Sequence, residues 1–145
     1  MKMAFDVQTP NLENAKESTK EKAKEVLWRC MVKMEELAKM RAPVDTGLLK
    51  ARIHLEPMQS GASEYILSDG VDYGIHVEYG TKPHYVPIAP LLGWAGRVLK
   101  DKGAAYAVRA KISQFGIPAQ PFFIPALHEV QFTWLPIFKK QVFGK

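Results

Sequence analysis

From Leu12 to Arg41 the apolar residues Leu12, Ala15, Ala23, Val26, Leu27, Cys30, Met34, Leu37 and Ala38 recur at steps of three and four. That spacing predicts one long amphipathic helix with a single apolar face. Glu25 and Arg29, and Glu35 and Lys39, are acid-before-base pairs four apart, which add modest helix support. At about 1.5 Å per residue the helix would run about 45 Å. Its first part, ENAKESTKEKAKE, is weakly apolar and is expected to project, fray or dock on a partner. Ala42-Pro43 ends it, because the residue before a proline is pushed out of the α region. Ahead of the helix, MAFDVQ (3–8) alternates apolar and polar and predicts a short edge strand.

After the helix the period changes to two. In LKARIHLEPM (49–58) Leu49, Ala51, Ile53 and Leu55 alternate with Lys50, Arg52, His54 and Glu56, the pattern of a half-buried strand. Ser60-Gly61 predicts a turn, Ser63 to Ser68 a second strand, and Asp69-Gly70 a further turn. VDYGIHVEY (71–79) alternates Val71, Tyr73, Ile75, Val77 and Tyr79 with polar or small residues and predicts a third strand. KPHYVPIAP (82–90) holds three prolines and predicts a loop. Helices are expected over Leu91–Leu99, over Gly103–Phe115 with Gly116 as its cap, and from about Pro125 onward, with a kink or break at Pro136. The expected fold is α+β in one domain over 1–145. Strand and long helix occupy 1–41, a small, mostly antiparallel sheet 42–81, and loop and shorter helices 82–145.

The chain has 145 residues, enough for a core without staples. It has one cysteine, Cys30, so an intramolecular disulfide framework is excluded. Cys30 lies on the apolar face of the first helix and is expected to be a buried small hydrophobe. The opening MKMAFDVQTP lacks the apolar core of a signal peptide, and no run is long enough to span a membrane. These features predict a soluble, cytosolic chain. The net charge of +5 is uneven: residues 1–41 carry nine Lys/Arg against seven Asp/Glu, 42–90 three against six, and 91–145 eight against two. A basic end can attract nucleic acid, or the acidic middle of a neighbouring copy.

Asp45-Thr46-Gly47 is the triplet that carries the catalytic carboxylate of aspartic proteases. Catalysis there needs two carboxylates about 3 Å apart sharing a proton, so a chain with one triplet must dimerise. Here the triplet follows a long helix and a proline, and no flap hairpin is evident. The stronger reading is structural. Asp45 and Thr46 can bond their own backbone in an Asx or Ser/Thr turn, and Gly47 can take positive φ, making an elbow from helix into strand. Asp45 is then an acceptor, not an acid. His54, His76, His84 and His128 have no metal-ligand spacing, and no cofactor motif is present. His76 and Glu78 would share a face of the presumed strand, more simply as a charge pair than as a metal or acid/base site. Tyr73, Tyr79 and Tyr85, with Lys82 and His84, could form a stacking platform for nucleic acid, although Asp69, Asp72 and Glu78 oppose phosphate. The prolines and aromatics of PHYVPIAPL and PAQPFFIPA suit protein contacts equally well.

Three stretches carry a resemblance: APVDTGLLKARI (42–53), YGIHVEYGTKPH (73–84) and PAQPFFIPAL (118–127). Their order and spacing resemble a tailed-phage family named after gene product ten of phage HK97, whose members look like small neck, head–tail joining or tail-completion proteins. The likeness spans about 10–143 and is weakest over Leu91–Ile117. It implies no catalysis and no cofactor or metal. Motif positions carried over are Asp45, Thr46 and Gly47; Glu78, Tyr79, Gly80 and Thr81; and Pro121, Phe122, Pro125 and Ala126, as fold-building or subunit-contact residues. It implies a virion component made in the host cytoplasm. Its partners would be copies of itself in a sixfold or twelvefold ring, the neighbouring head-closure and tail proteins, and DNA passing through the channel without sequence reading, with no membrane. A nucleic-acid-binding module using the basic C-terminal part is the alternative, and a dimeric protease using Asp45 the remote one. Glu78, on a mostly apolar segment, needs a partner; the elbow's backbone N–H groups or a basic residue of the next subunit would serve. Phe122 and Phe123 are expected to anchor the last helix to the sheet.

Overall fold

A computed structural model describes residues 2–5, 17–57 and 64–144. The expected turn at Ser60-Gly61 and the parts of the first strand and helix over 6–8 and 12–16 lie outside them. In chain order the elements are β1 (Lys2–Phe5), α1 (Glu17–Arg41), α2 (Leu48–Arg52), β2 (His54–Pro57), β3 (Tyr65–Ser68), α3 (Gly74–Tyr79), α4 (Ile88–Val98), α5 (Ala104–Phe115), α6 (Phe123–Glu129), a π-helical turn (Val130–Trp134) and α7 (Leu135–Phe143). The class is α+β, as the hydrophobic pattern predicts. The sheet is antiparallel with order β1-β3-β2. Met3 and Leu55 both stand opposite Leu67 of the central strand.

Helix α1 is the backbone of the core. It buries Val26, Leu27, Cys30, Met31, Met34, Leu37 and Ala38, while its first two turns stay largely exposed. Against that face lie Ile53, Leu67, Phe122, Phe123, Ala126 and Val130. The last helices run antiparallel to α1: Arg41 pairs with Glu129, and Arg29 donates to Gln141 at 3.2 Å. Between these, the Lys33 ammonium sits 4.3 Å from the Trp134 ring centroid. Both helix pairs read from spacing form, Glu25–Arg29 at 2.6 Å and Glu35–Lys39 at 2.5 Å.

Two expected strands are helices. Residues 48–52 form one helical turn, and the strand begins only at His54. Leu49 and Ile53 are the buried pair, and Ala51 is exposed. A spacing of four puts two residues on one side of a strand and also on one side of a helix, so the alternation could not discriminate. Residues 74–79 are helix α3, so the third strand of the sheet is β1 and not 71–79. Here the inward residues are Gly74 and Glu78, and the apolar Tyr73, Ile75 and Tyr79 are exposed. His76 and Glu78 therefore do not share a face. Helix α4 begins at Ile88, inside the segment expected to be loop, because Pro90 falls in the first turn, where a missing N–H costs nothing. The expected break at Pro136 takes another form: the helix continues, and the turn before the proline widens into the π segment.

Helices α4 and α5 form a hairpin of their own. Its buried residues, Ala95, Ala105 and Ile112, are not part of the main core cluster. The lone cysteine is. Burial pushes the Cys30 thiol up to about 11, so thiolate is scarce at neutral pH. Cys30 is therefore expected to resist alkylation by iodoacetamide at pH 8 and to react only at the rate of global unfolding; fast labelling of the native protein would contradict this packing.

Candidate functional site

The three stretches that carry the family resemblance are far apart in sequence and meet in space. One open cavity of about 340 Å³ is lined by Pro43–Leu49 from the first, Tyr73 and Val77 from the second and Gln120 from the third, with Trp94 and Val98 of α4 closing it. The site is best built from its buried side, where the second and third stretches interlock.

Glu78 is buried at 2% exposure. Its carboxylate accepts the backbone N–H groups of Phe122 and Phe123 on Oε2, at 2.7 and 2.9 Å, and that of Ile124 on Oε1, at 2.8 Å. These are donors at the start of α6 that a helix cannot satisfy internally. The next residue is Pro125, which has no N–H. One carboxylate and one proline thus account for the open donors of the whole first turn. The negative charge also sits at the positive end of the helix dipole. The partner of Glu78 is therefore the third stretch, and not the elbow or another subunit. With Glu78 fixed, Phe122 and Phe123 enter the core fully buried, ring centroids 4.6 Å apart. They anchor α6 beside α1 and Leu67 of β3.

The chain then leaves α3 through Gly80, at φ 73°. A Cβ there would lie 2.6 Å from the Ile117 carbonyl oxygen. Next to it Thr81 and Ile117 pair. The Thr81 N–H donates to Ile117 O at 2.9 Å, and the Ile117 N–H donates to Thr81 Oγ1 at 3.0 Å. On the other strand Gly116, at φ 77°, would place a Cβ 2.0 Å from Thr81 O. The Gln120 N–H reaches Val77 O at 2.8 Å. Two glycines let the backbones touch, and four hydrogen-bonded residues hold them. Gly116 is legible in the sequence as a helix cap; its approach to Thr81 has no signal there.

The elbow occupies the open side. Gly47 takes φ 83°, as its place in a turn predicts, with nothing near its absent Cβ, so only the dihedral demands glycine. Thr46 Oγ1 accepts the Leu48 N–H at 3.4 Å, a weak form of the expected Ser/Thr turn. The elbow leads into α2 and not directly into a strand. Asp45 does not bond its own backbone. Its carboxylate receives Arg97 Nε at 3.1 Å and Arg97 Nη2 at 2.8 Å, a two-pronged pair that ties α4 to the elbow. The hydrogen bonds from Arg97 lower the Asp45 pKa below its ordinary value. A carboxylate held ionised by a guanidinium is opposite to the proton-sharing pair of an aspartic protease. Sequence reasoning misses Arg97, Trp94 and Val98, because nothing local links them to residues some fifty positions away.

Tyr79 and Pro121 point outward. Tyr79 is 59% exposed, and with Ile75 four residues earlier it forms an apolar face of α3. Val44, Leu48 and Tyr73 add exposed apolar surface at the rim of the cavity. No family model matches the chain, and neither a curated protein nor a solved structure does.

Two outcomes follow. Glu78→Ala is expected to destabilise by about 3–5 kcal/mol in denaturant unfolding, since it strands buried donors. Glu78→Gln, which keeps the shape but loses acceptor capacity, is expected to cost about 2 kcal/mol; equal stability of all three proteins would show that the cap is idle. For Asp45 the folded pKa lies below the unfolded one, so the Arg97 pair contributes above the unfolded value and its contribution disappears as pH falls through the folded one. The Tm gap between wild type and Asp45→Asn should therefore exist at neutral pH and close below about pH 4; a gap that persists at pH 2 would mean the substitution acts otherwise.

Proposed function

We propose that this chain is a non-enzymatic structural component of a tailed phage or prophage, acting at the neck or in tail completion as copies arranged in a ring around the DNA channel. The observation that carries the reading is the convergence of the three motif stretches on one cleft. Gly47 lines that cleft, while the helix-capping Glu78, the close-approach glycines Gly80 and Gly116 and the core pair Phe122–Phe123 hold together the stretches that bound it. These are groups that hold a shape. The motif acids are committed: Glu78 to three backbone donors and Asp45 to a guanidinium.

The same geometry bears on how copies would meet. A closed ring joins two different patches of each subunit. The acidic middle of the chain offers little charge for that purpose. Asp45 holds Arg97, Glu56 holds Lys2, and Glu78 and Asp69 are buried, which leaves Glu64 and Asp72 on the surface. Subunit contact through the apolar side chains of Val44, Leu48, Tyr73, Ile75 and Tyr79 fits the surface better, with the polar rim usual for such interfaces.

The test is deletion of the gene in its parent phage or prophage and electron microscopy of the lysate. The expected result is full heads lying apart from tails, or tails of abnormal ending, with the double variant Ile75→Asp/Tyr79→Asp giving the same picture while keeping a native circular dichroism spectrum. Normal infectious particles from the deletion would overturn the reading.

A further inference from the structure

The carboxylates of this protein are largely spent, while many of its cations are not. Of the thirteen described Asp and Glu residues, eight hold a Lys or Arg of the same chain, and Glu78 and Asp69 are buried. Among the described residues only Glu64, Asp72 and Asp101 remain exposed without an ion pair. Four open cations lie on the α4–α5 hairpin, Lys111 of α5 and three others. Lys100 and Lys102 stand at its tip and Arg109 on α5, and among the described residues none of them forms an ion pair. Lys100 adopts φ 58°, the single positive value outside glycine among the described residues, and this carries the chain round the tip.

Beside these cations are two exposed aromatic side chains. Tyr85, from the loop before α4, is 74% exposed, and Tyr106 of α5 is 57% exposed. The Arg109 guanidinium lies 5.8 Å from each ring centroid, so both rings orient it without neutralising it. Tyr106 and Arg109 are three residues apart on one side of α5, and Lys102 lies just before that helix begins.

We infer that the α4–α5 hairpin is an arm that contacts the sugar–phosphate backbone of duplex DNA through Lys100, Lys102 and Arg109, with the Tyr85 and Tyr106 hydroxyls as additional phosphate donors. This rests on the proposed position around a DNA channel and names the element that faces the channel. A second copy is the poorer partner, because its described residues present only Glu64, Asp72 and Asp101 as open carboxylates to match the arm. Contacts of this kind fix position and carry no sequence information.

The experiment is fluorescence anisotropy of the purified protein with a labelled duplex of about 30 base pairs across a salt series, read as the slope of log K against log salt. The intact protein is expected to bind two unrelated sequences equally. Lys100→Ala/Lys102→Ala/Arg109→Ala should flatten the slope by about 2–3 units, because each phosphate that a cation neutralises contributes about 0.9 to it. The triple variant Lys100→Arg/Lys102→Arg/Arg109→Lys should keep it, as should Lys139→Ala/Lys140→Ala at the far end of the chain. Absence of salt-sensitive binding, an unchanged slope in a folded triple-alanine variant, or equal binding of poly-glutamate would overturn the arm. Because the assay needs no phage particle, it fails independently of the ring. Binding without a deletion phenotype would sink the neck reading alone, and a deletion phenotype without binding would sink the arm alone.

Discussion

The buried Glu78 carboxylate is the constraint around which the rest is arranged. A charge out of water is costly unless its oxygens are fully engaged. Here three backbone N–H groups engage them at the one place where a helix has donors to spare. The interaction fixes more than a helix end. It sets where Phe122 and Phe123 enter the core, and through them how α6, the π turn and α7 lie along α1. It also forces the second and third stretches into backbone contact, which only Gly80 and Gly116 allow. A residue that looks like a candidate acid in the sequence is the staple of the molecule.

Two layers of attachment follow. The body, α1 with the sheet and the last helices, shares one continuous apolar cluster. The α4–α5 hairpin has a small core of its own and is joined to the body by directional contacts: Asp45 with Arg97, and Thr81 with Ile117. Trp94 lines two open cavities where hairpin and body face each other, one of about 340 Å³ and one of about 500 Å³. Hydrogen bonds and an exposed ion pair hold orientation while adding little to stability. A hairpin fastened in this way keeps its basic tip outward without competing for the core.

How far the sequence is legible depends on the length of each pattern. Helix α1 is long, and its three-and-four period is hard to mistake; even so, Met31, fully in the core, is absent from the apolar set that defines it. Short segments fail where a spacing of four serves both periods, as with Leu49 and Ile53. VDYGIHVEY fails for a different reason. Tyr73, Ile75 and Tyr79 face outward and its Gly74 and Glu78 inward, with Val71 and Val77 packing against the core, an arrangement that burial of a capped carboxylate makes possible. The motif stretches are recognisable as structural elements from sequence. Their mutual contacts are not, because the partner of Glu78 is a set of backbone groups with no residue type to recognise, and the partner of Asp45 lies in the segment where the resemblance is weakest.

That arrangement links fold to surface. A helix whose inward face is Gly74 and Glu78, with Val77 packed beside them, presents Ile75 and Tyr79 to the outside. The stapling of the core and the apolar patch proposed for subunit contact are therefore two sides of six residues. If copies meet at that patch as proposed, they need little charge to do so, and the open cations of the hairpin are left for the proposed contact with DNA. Association by apolar contact is not weakened by charge screening, whereas backbone contact with DNA falls steeply with salt. A ring built on the proposed terms would stay closed across ionic conditions that loosen its hold on the duplex.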